Sequence, residues 1–133
     1  SGRRKNEKKI NQINSKIITL SIENNMKLLG ICYGAEILAL TLGGTIKKSQ
    51  SLQKGNETIK ILNDNLISSD TLNVFESHGY EISTLPGVLI PLAESENCKY
   101  EIIQYEKKLI FGTQFHPEMS KDGHELIEKF CLL

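Results

Sequence analysis

This chain of 133 residues has no charge surplus, because sixteen Lys and Arg are matched by sixteen Asp and Glu. No bulk field therefore favours nucleic acid or an anionic membrane as a partner. Cysteine is scarce too. Three residues, Cys32, Cys98 and Cys131, form neither a disulfide framework nor a Cys-x-x-Cys pair. With His and Cys never clustered at ligand spacing, no metal site is expected. Widely spaced thiols fit a reducing, cytoplasmic compartment. No apolar run approaches the length of a membrane span, and the opening residues show no signal-peptide pattern. A phosphate-cradling loop is also lacking, since Gly43-Gly44 is not followed by Lys and Ser or Thr. Without internal repeats, low-complexity segments or a linker, residues 1–133 read as one domain, large enough for a core.

What the sequence does have is Leu28-Leu29-Gly30-Ile31-Cys32-Tyr33-Gly34. Residues 27–31 read as a short buried strand, and Ala35, Ile37, Leu38, Leu40 and Leu42 continue at once as a helix. Gly-x-Cys-x-Gly at such a junction is the cysteine form of a nucleophile elbow. A sharp turn strains the backbone, and glycine lets strand and helix pass closely. The turn aims the sulfur at a helix N-terminus, where free N–H groups favour a thiolate or an oxyanion. The same pattern fits a structural cysteine packed between a strand and a helix.

Around this junction, residues 6–25 carry Ile10, Ile13, Ile17, Ile18, Leu20 and Ile22 at helical spacing, and Gly43-Gly44 is a helix C-cap signal. Helix, strand and helix in succession give the rhythm of an α/β sheet covered on both faces. Short strands are expected at 45–48, 57–62, 72–75, 88–93, 99–105 and 109–113, with polar loops at 49–55 and 63–70 and a last helix over 122–131. A parallel sheet usually opens on a strand, whereas Ser1-Gly2-Arg3-Arg4-Lys5 leads straight into a helix. The N-terminal part of the domain is therefore expected to be missing.

A second group, His116-Pro117-Glu118, follows the strand at 109–113. It lies at the C-terminal sheet edge, where open α/β folds place their sites. A His with a carboxylate two residues on can act as a base and its orienter; a surface His in a turn fits equally. His124 reads as a surface residue and Cys98 and Cys131 as core. Lys54-Gly55-Asn56-Glu57 reads as a solvated turn.

Gly30-Ile31-Cys32-Tyr33-Gly34 and Gly112-Thr113-Gln114-Phe115-His116-Pro117-Glu118 resemble the two signature blocks of the class I (triad) glutamine amidotransferases. Ser77-His78-Gly79 resembles the Ser-His segment of the GMP synthetase members. The tail from Ile110 is similar to the separate glutaminase subunit of archaeal-type GMP synthetases. The resemblance implies a flavodoxin-like, three-layer α/β/α sandwich with a mostly parallel sheet. It implies Cys32 as nucleophile, His116 as base and Glu118 as its orienter. It also implies Tyr33 and Gly2 as oxyanion donors, and Glu36, Ser77 and His78 as substrate-side residues. Glutamine would be the substrate, and ammonia would go to an ATP-dependent synthetase of purine biosynthesis. No cofactor is needed in this chain, and ATP and Mg belong to the partner.

Three departures stand out. Arg3 and Arg4 replace the Gly and Pro of the family's oxyanion turn, and Ser1-Gly2 also fits an expression scar. Tyr80 stands where GMP synthetase members often have Asp. Glu36 replaces a Gln that helps hold the substrate. A carboxylate at 36 is expected in the first helical turn at the pocket mouth, ionised and raising the thiol pKa, so that Glu36→Gln is expected to lower KM for glutamine. Glu36 keeps a γ-glutamyl hydrolase in view. Together with the altered turn, it also leaves open an idle amidotransferase-like binding module.

Overall fold

The structure, a computed structural model, describes residues 2–133, with side chains from Glu7 onward. Helix α1 (Gly2–Glu23) leads through a tight turn at Asn25 into β1 (Leu28–Ile31). Helix α2 (Tyr33–Thr41) follows after Cys32 alone. It ends as its sequence predicts. Gly43 takes φ 99°, and the amides of Gly43 and Gly44 donate to Leu40 O and Ala39 O. Strands β2 (Thr45–Ile61), β3 (Leu72–Thr84), β4 (Leu89–Glu94), β5 (Ile102–Tyr105) and β6 (Ile110–Thr113) come next. A 3-10 turn (Pro117–Met119) and helix α3 (Lys121–Cys131) close the chain. Among the described residues no helix is long and apolar enough to cross a membrane.

The strands form one sheet in the order β1-β6-β5-β4-β2-β3. Alternation along each strand divides the apolar residues between two cores. Leu28, Ile110 and Ile103 pack with Ile18 of α1 and Ile37, Leu38 and Ala39 of α2. Leu29, Phe111 and Ile102 face the other way, onto Leu126 and Phe130 of α3. Two helices on one face and one on the other make the expected three layers.

The sheet itself is mixed rather than mostly parallel. Around Cys32 the pairing is parallel, with Leu28 to Ile31 in register with Ile110 to Thr113. The β2–β3, β2–β4, β4–β5 and β5–β6 pairs are antiparallel. The reason is connection length. A parallel neighbour needs a crossover of a dozen or more residues, whereas β4, β5 and β6 are joined by short links that can only reverse the chain.

Two further expectations change. The polar stretch 49–55 is not a loop but the middle of β2: residues 49–52 bulge within a register shift between Lys48 and Gln53, and residues 53–55 pair with β3. Lys54-Gly55-Asn56-Glu57 lies in that strand, opposite Ser77, Glu76, Phe75 and Val74. Cys98 is buried, but Cys131 is exposed rather than part of the core.

At the β1–α2 junction the two flanking glycines have different roles. A Cβ on Gly30 would meet the backbone carbon of Gly34 at 2.8 Å and its oxygen at 2.9 Å, while one on Gly34 would meet nothing. Gly30→Ala is thus expected to push α2 off β1, costing about 1–3 kcal/mol. Gly34→Ala should cost less than half of that in urea unfolding.

Candidate active site

Cys32 sits at the N-cap of α2 with φ 52° and ψ −102°. A residue with a Cβ at positive φ is strained, so the elbow expected from sequence is present as an observed backbone outlier. Packing holds it there. The Cys32 amide donates to Thr113 O at 2.6 Å, and the Cys32 carbonyl accepts from Ala35 and Glu36 as the helix begins. The strain is thus locked between β6 and α2.

The sulfur is half-buried. It donates to Ser77 O at 3.8 Å, and Gln114 Nε2 faces it at 4.0 Å. Burial pushes the thiol up to about 11, and the Glu36 charge adds to this. The Tyr33 backbone N–H pulls it back down, while Glu76 and Glu118 push it up further. A hydrogen bond from Tyr33 N–H to the sulfur suits the oxyanion role expected of it. The Tyr33 hydroxyl donates to Asn11 Oδ1, which ties α2 to α1. Gly2 opens α1.

His116 caps the 3-10 turn, and its amide donates to Phe75 O at 2.9 Å. Strand β3 thus touches both halves of the site, His116 at Phe75 and Cys32 at Ser77. His116 Nδ1 and Glu118 Oε2 are 3.1 Å apart. With that nitrogen donating to the carboxylate, Nε2 is left to accept a proton. No hydrogen bond joins Cys32 to His116 among the described residues. The turn is braced by α3. Ser120 Oγ accepts from Gly123 N at 3.0 Å, and His124 Nε2 donates to Glu118 O at 2.6 Å. A Cβ on Gly123 would lie 2.2 Å from Pro117 O, so helix and turn are in direct contact. His124 is exposed, as expected, and supports the turn.

The three substrate-side candidates divide. Ser77 is exposed on β3, whereas Glu36 and His78 are only 5% and 6% exposed. Glu36 does not sit at the pocket mouth. Its Oε2 accepts from Gln114 Nε2 at 3.0 Å. Burial raises its carboxyl above the usual range, against the Gln114 bond and the nearby His78. Three polar residues were missed from sequence: Gln114, Glu76 and Glu101, buried at 1%, 3% and 0%. Period-two alternation along β3 could have found Glu76, because Val74, Glu76 and His78 share its buried face.

A strained cysteine between strand and helix, with a His–Glu pair tied to the same neighbouring strand, defines the nucleophile-elbow class of three-layer α/β proteins. The particular family follows from comparison with known proteins. The sequence model of glutamine amidotransferase class-I matches residues 4–133, and the chain belongs to that family. Among curated relatives, the glutamine-hydrolyzing GMP synthase of Sodalis glossinidius is 31% identical over 118 residues, covering 79% of this chain and 22% of its own length. That of Aliivibrio fischeri is 30% identical over 115 residues, covering 83% and 22%. This chain thus spans about a fifth of the relatives it matches. A Thermoplasma acidophilum protein, assigned to GMP synthase as one of its subunits, superposes with TM-score 0.79 at 26% identity, covering 88% of this chain and 61% of that one. A glutamine amidotransferase from Thermotoga maritima gives 0.74 at 25%, covering 90% and 53%.

Proposed function

We propose that this chain is a glutaminase domain that releases ammonia from glutamine for an ATP-dependent synthetase, with GMP synthetase the favoured partner. The observation that carries this is the strained Cys32 turn, whose sulfur lies against β3 while His116, paired with Glu118, is hydrogen-bonded to the same strand two residues away. In this reading the Cys32 sulfur attacks the side-chain amide carbon of glutamine. The thiol proton passes to His116 Nε2, and the oxyanion is met by the Tyr33 N–H, with Gly2 as the second donor. Glu118 stabilises the imidazolium. His116 then gives the proton to the leaving nitrogen, ammonia departs, and a γ-glutamyl thioester remains. Water, deprotonated by His116, attacks the thioester, releasing glutamate and restoring the thiol. Every proton is accounted for by this chain's own residues. ATP and Mg are assigned to the partner, and the cytoplasm is the proposed compartment.

The high thiol pKa favours a site that rests until glutamine and the partner are in place. An idle binding module shares that feature, and the two are separated by covalent labelling. A diazo-ketone analogue of glutamine is expected to modify the peptide containing Cys32, read by mass spectrometry, and to leave Cys32→Ser unlabelled. Labelling confined to Cys131, or none in the presence of the synthetase, would favour the idle module. Glu36, which kept a γ-glutamyl hydrolase in view, is turned to Gln114, and no observation favours that alternative.

A further inference from the structure

Behind the sulfur, β3 carries two buried ionisable groups for which the proposed chemistry has no use. His78 Nε2 lies 2.8 Å from Glu76 Oε1, and His78 Nδ1 lies 2.9 Å from Tyr80 O. A backbone carbonyl only accepts, so Nδ1 must donate. An ionised carboxylate also only accepts, so Nε2 must donate as well. Both ring nitrogens then carry hydrogen, which makes the ring an imidazolium. The alternative is a protonated Glu76 donating to a neutral ring. Glu101 decides between them. Its carboxyl, fully buried, sits beside that of Glu76. Among the described residues the Ser95 hydroxyl is the one neutral donor that faces Glu101, and it lowers that carboxyl by less than burial and Glu76 raise it; Glu76 Oε2 has no other donor. Two carboxylates cannot meet unscreened in the interior, so one proton lies between them. Glu76 has the His78 ring to balance a charge and Glu101 has none, so the proton belongs to Glu101.

We propose that Glu101, Glu76 and His78 form a proton-sharing chain of neutral acid, carboxylate and imidazolium, and that His78 is a positioning residue whose fixed charge keeps Glu36 ionised and bonded to Gln114 beside the sulfur. The directions of titration agree. Burial pushes Glu101 up, and Glu76 pushes it further. Burial would also raise Glu76, but the His78 and Glu101 bonds outweigh it and bring Glu76 below the usual range. His78 loses from burial and gains more from Glu76, so it lies above 6.5. The charged groups facing each member are few. His78 meets Glu76 and Glu36; Glu76 meets His78, Glu101, His116 and the Cys32 and Cys98 thiols; Glu101 meets Glu76, Glu57 and the Cys98 thiol. Glu36 meets His78 and the Cys32 thiol. The consequence for Gln114 rests on Cys32 being the nucleophile; the protonation pattern does not.

The test is a pH titration of the full chain, with histidine ring nitrogens and glutamate carboxyl carbons followed by NMR. In the wild-type chain His78 is expected to carry hydrogen on both nitrogens at neutral pH, with its midpoint above the ordinary value. Glu76→Gln should lower that midpoint by roughly 1 pH unit or more. Glu101→Gln should leave it in place, because the amide donates to Glu76 as the neutral acid does. His78→Gln should raise the midpoint of Glu36. A single-nitrogen tautomer in the wild-type chain, or a fall in the His78 midpoint in Glu101→Gln as an anion is lost, would overturn the chain of protonation. An unmoved Glu36 midpoint in His78→Gln would overturn the positioning role. Should Glu76→Gln fail to fold, the wild-type and Glu101→Gln titrations still decide. Loss of diazo-ketone labelling beside an intact imidazolium would fail the glutaminase reading alone.

Discussion

Cys32→Ala is expected to lower glutamine hydrolysis, measured with the synthetase present, by roughly 10³-fold or more while leaving the fold intact. The proposed reaction would lose its covalent acceptor, because Cys98 is buried elsewhere and Cys131 is at the end of α3. Stability should barely move, since the half-buried sulfur belongs to neither apolar core. Cys32→Gly separates backbone from chemistry. A non-glycine residue at φ 52° stores about 1–3 kcal/mol. Glycine releases that strain, offset by its larger entropy loss on folding. Cys32→Gly should therefore be equally inactive but at least as stable as Cys32→Ala, with a Tm no lower in calorimetry. Full hydrolysis by either variant would remove Cys32 from the mechanism. A Tm well below that of Cys32→Ala would mean that the turn is not strained.

The elbow was readable from sequence because its causes are local. A glycine two residues before a cysteine, a short apolar run and a helical stripe sit within fifteen residues, and the backbone strain follows from that packing. Gly43 and the His116–Glu118 pair were readable for the same reason. Residues 49–55 were not. They have no apolar alternation, and most of their side chains are exposed. They are strand only because β3 runs alongside and pairs with the residues on either side of the bulge, which no local window contains. The mixed pairing of the sheet was obscured by expectation: the parallel β1–β6 pair was extended to strands whose short connections forbid it. The buried acids were the deepest omission. Glu76 and Glu101 look like surface residues one at a time, and only the fold buries them and groups them with His78, Gln114 and Glu36. That grouping also changes what Glu36 does. Expected at the pocket mouth, it is buried and bonded to Gln114, and its charge raises the Cys32 thiol.

Alkylation of Cys32 by iodoacetamide is therefore expected to be slow at pH 7 and to rise about tenfold per pH unit until it levels near 11, the value to which the thiol is pushed. The sign follows from the thiolate being the nucleophile: below the pKa its fraction falls tenfold with each unit. Burial is the largest cause and the Glu36 charge the next. Glu36→Gln removes the second cause while keeping an acceptor for Gln114 Nε2, so burial and the Gln114 contact stay much as they are. The midpoint should move down, and the rate at pH 8 should rise by roughly threefold to tenfold, given that one pKa unit is a factor of ten. Peptide-resolved mass spectrometry separates this signal from that of the exposed Cys131, which serves as an internal reference in both proteins. Glutamine hydrolysis measured on the same variant adds a second readout. If Glu36 acts only on the thiol, Glu36→Gln leaves KM for glutamine unchanged and moves the lower limb of the kcat/KM profile toward acid. If Glu36 reaches the substrate in the bound state, KM moves as well. A Glu36→Gln protein whose Cys32 alkylates at the wild-type rate across the whole range would show that burial alone holds the thiol protonated.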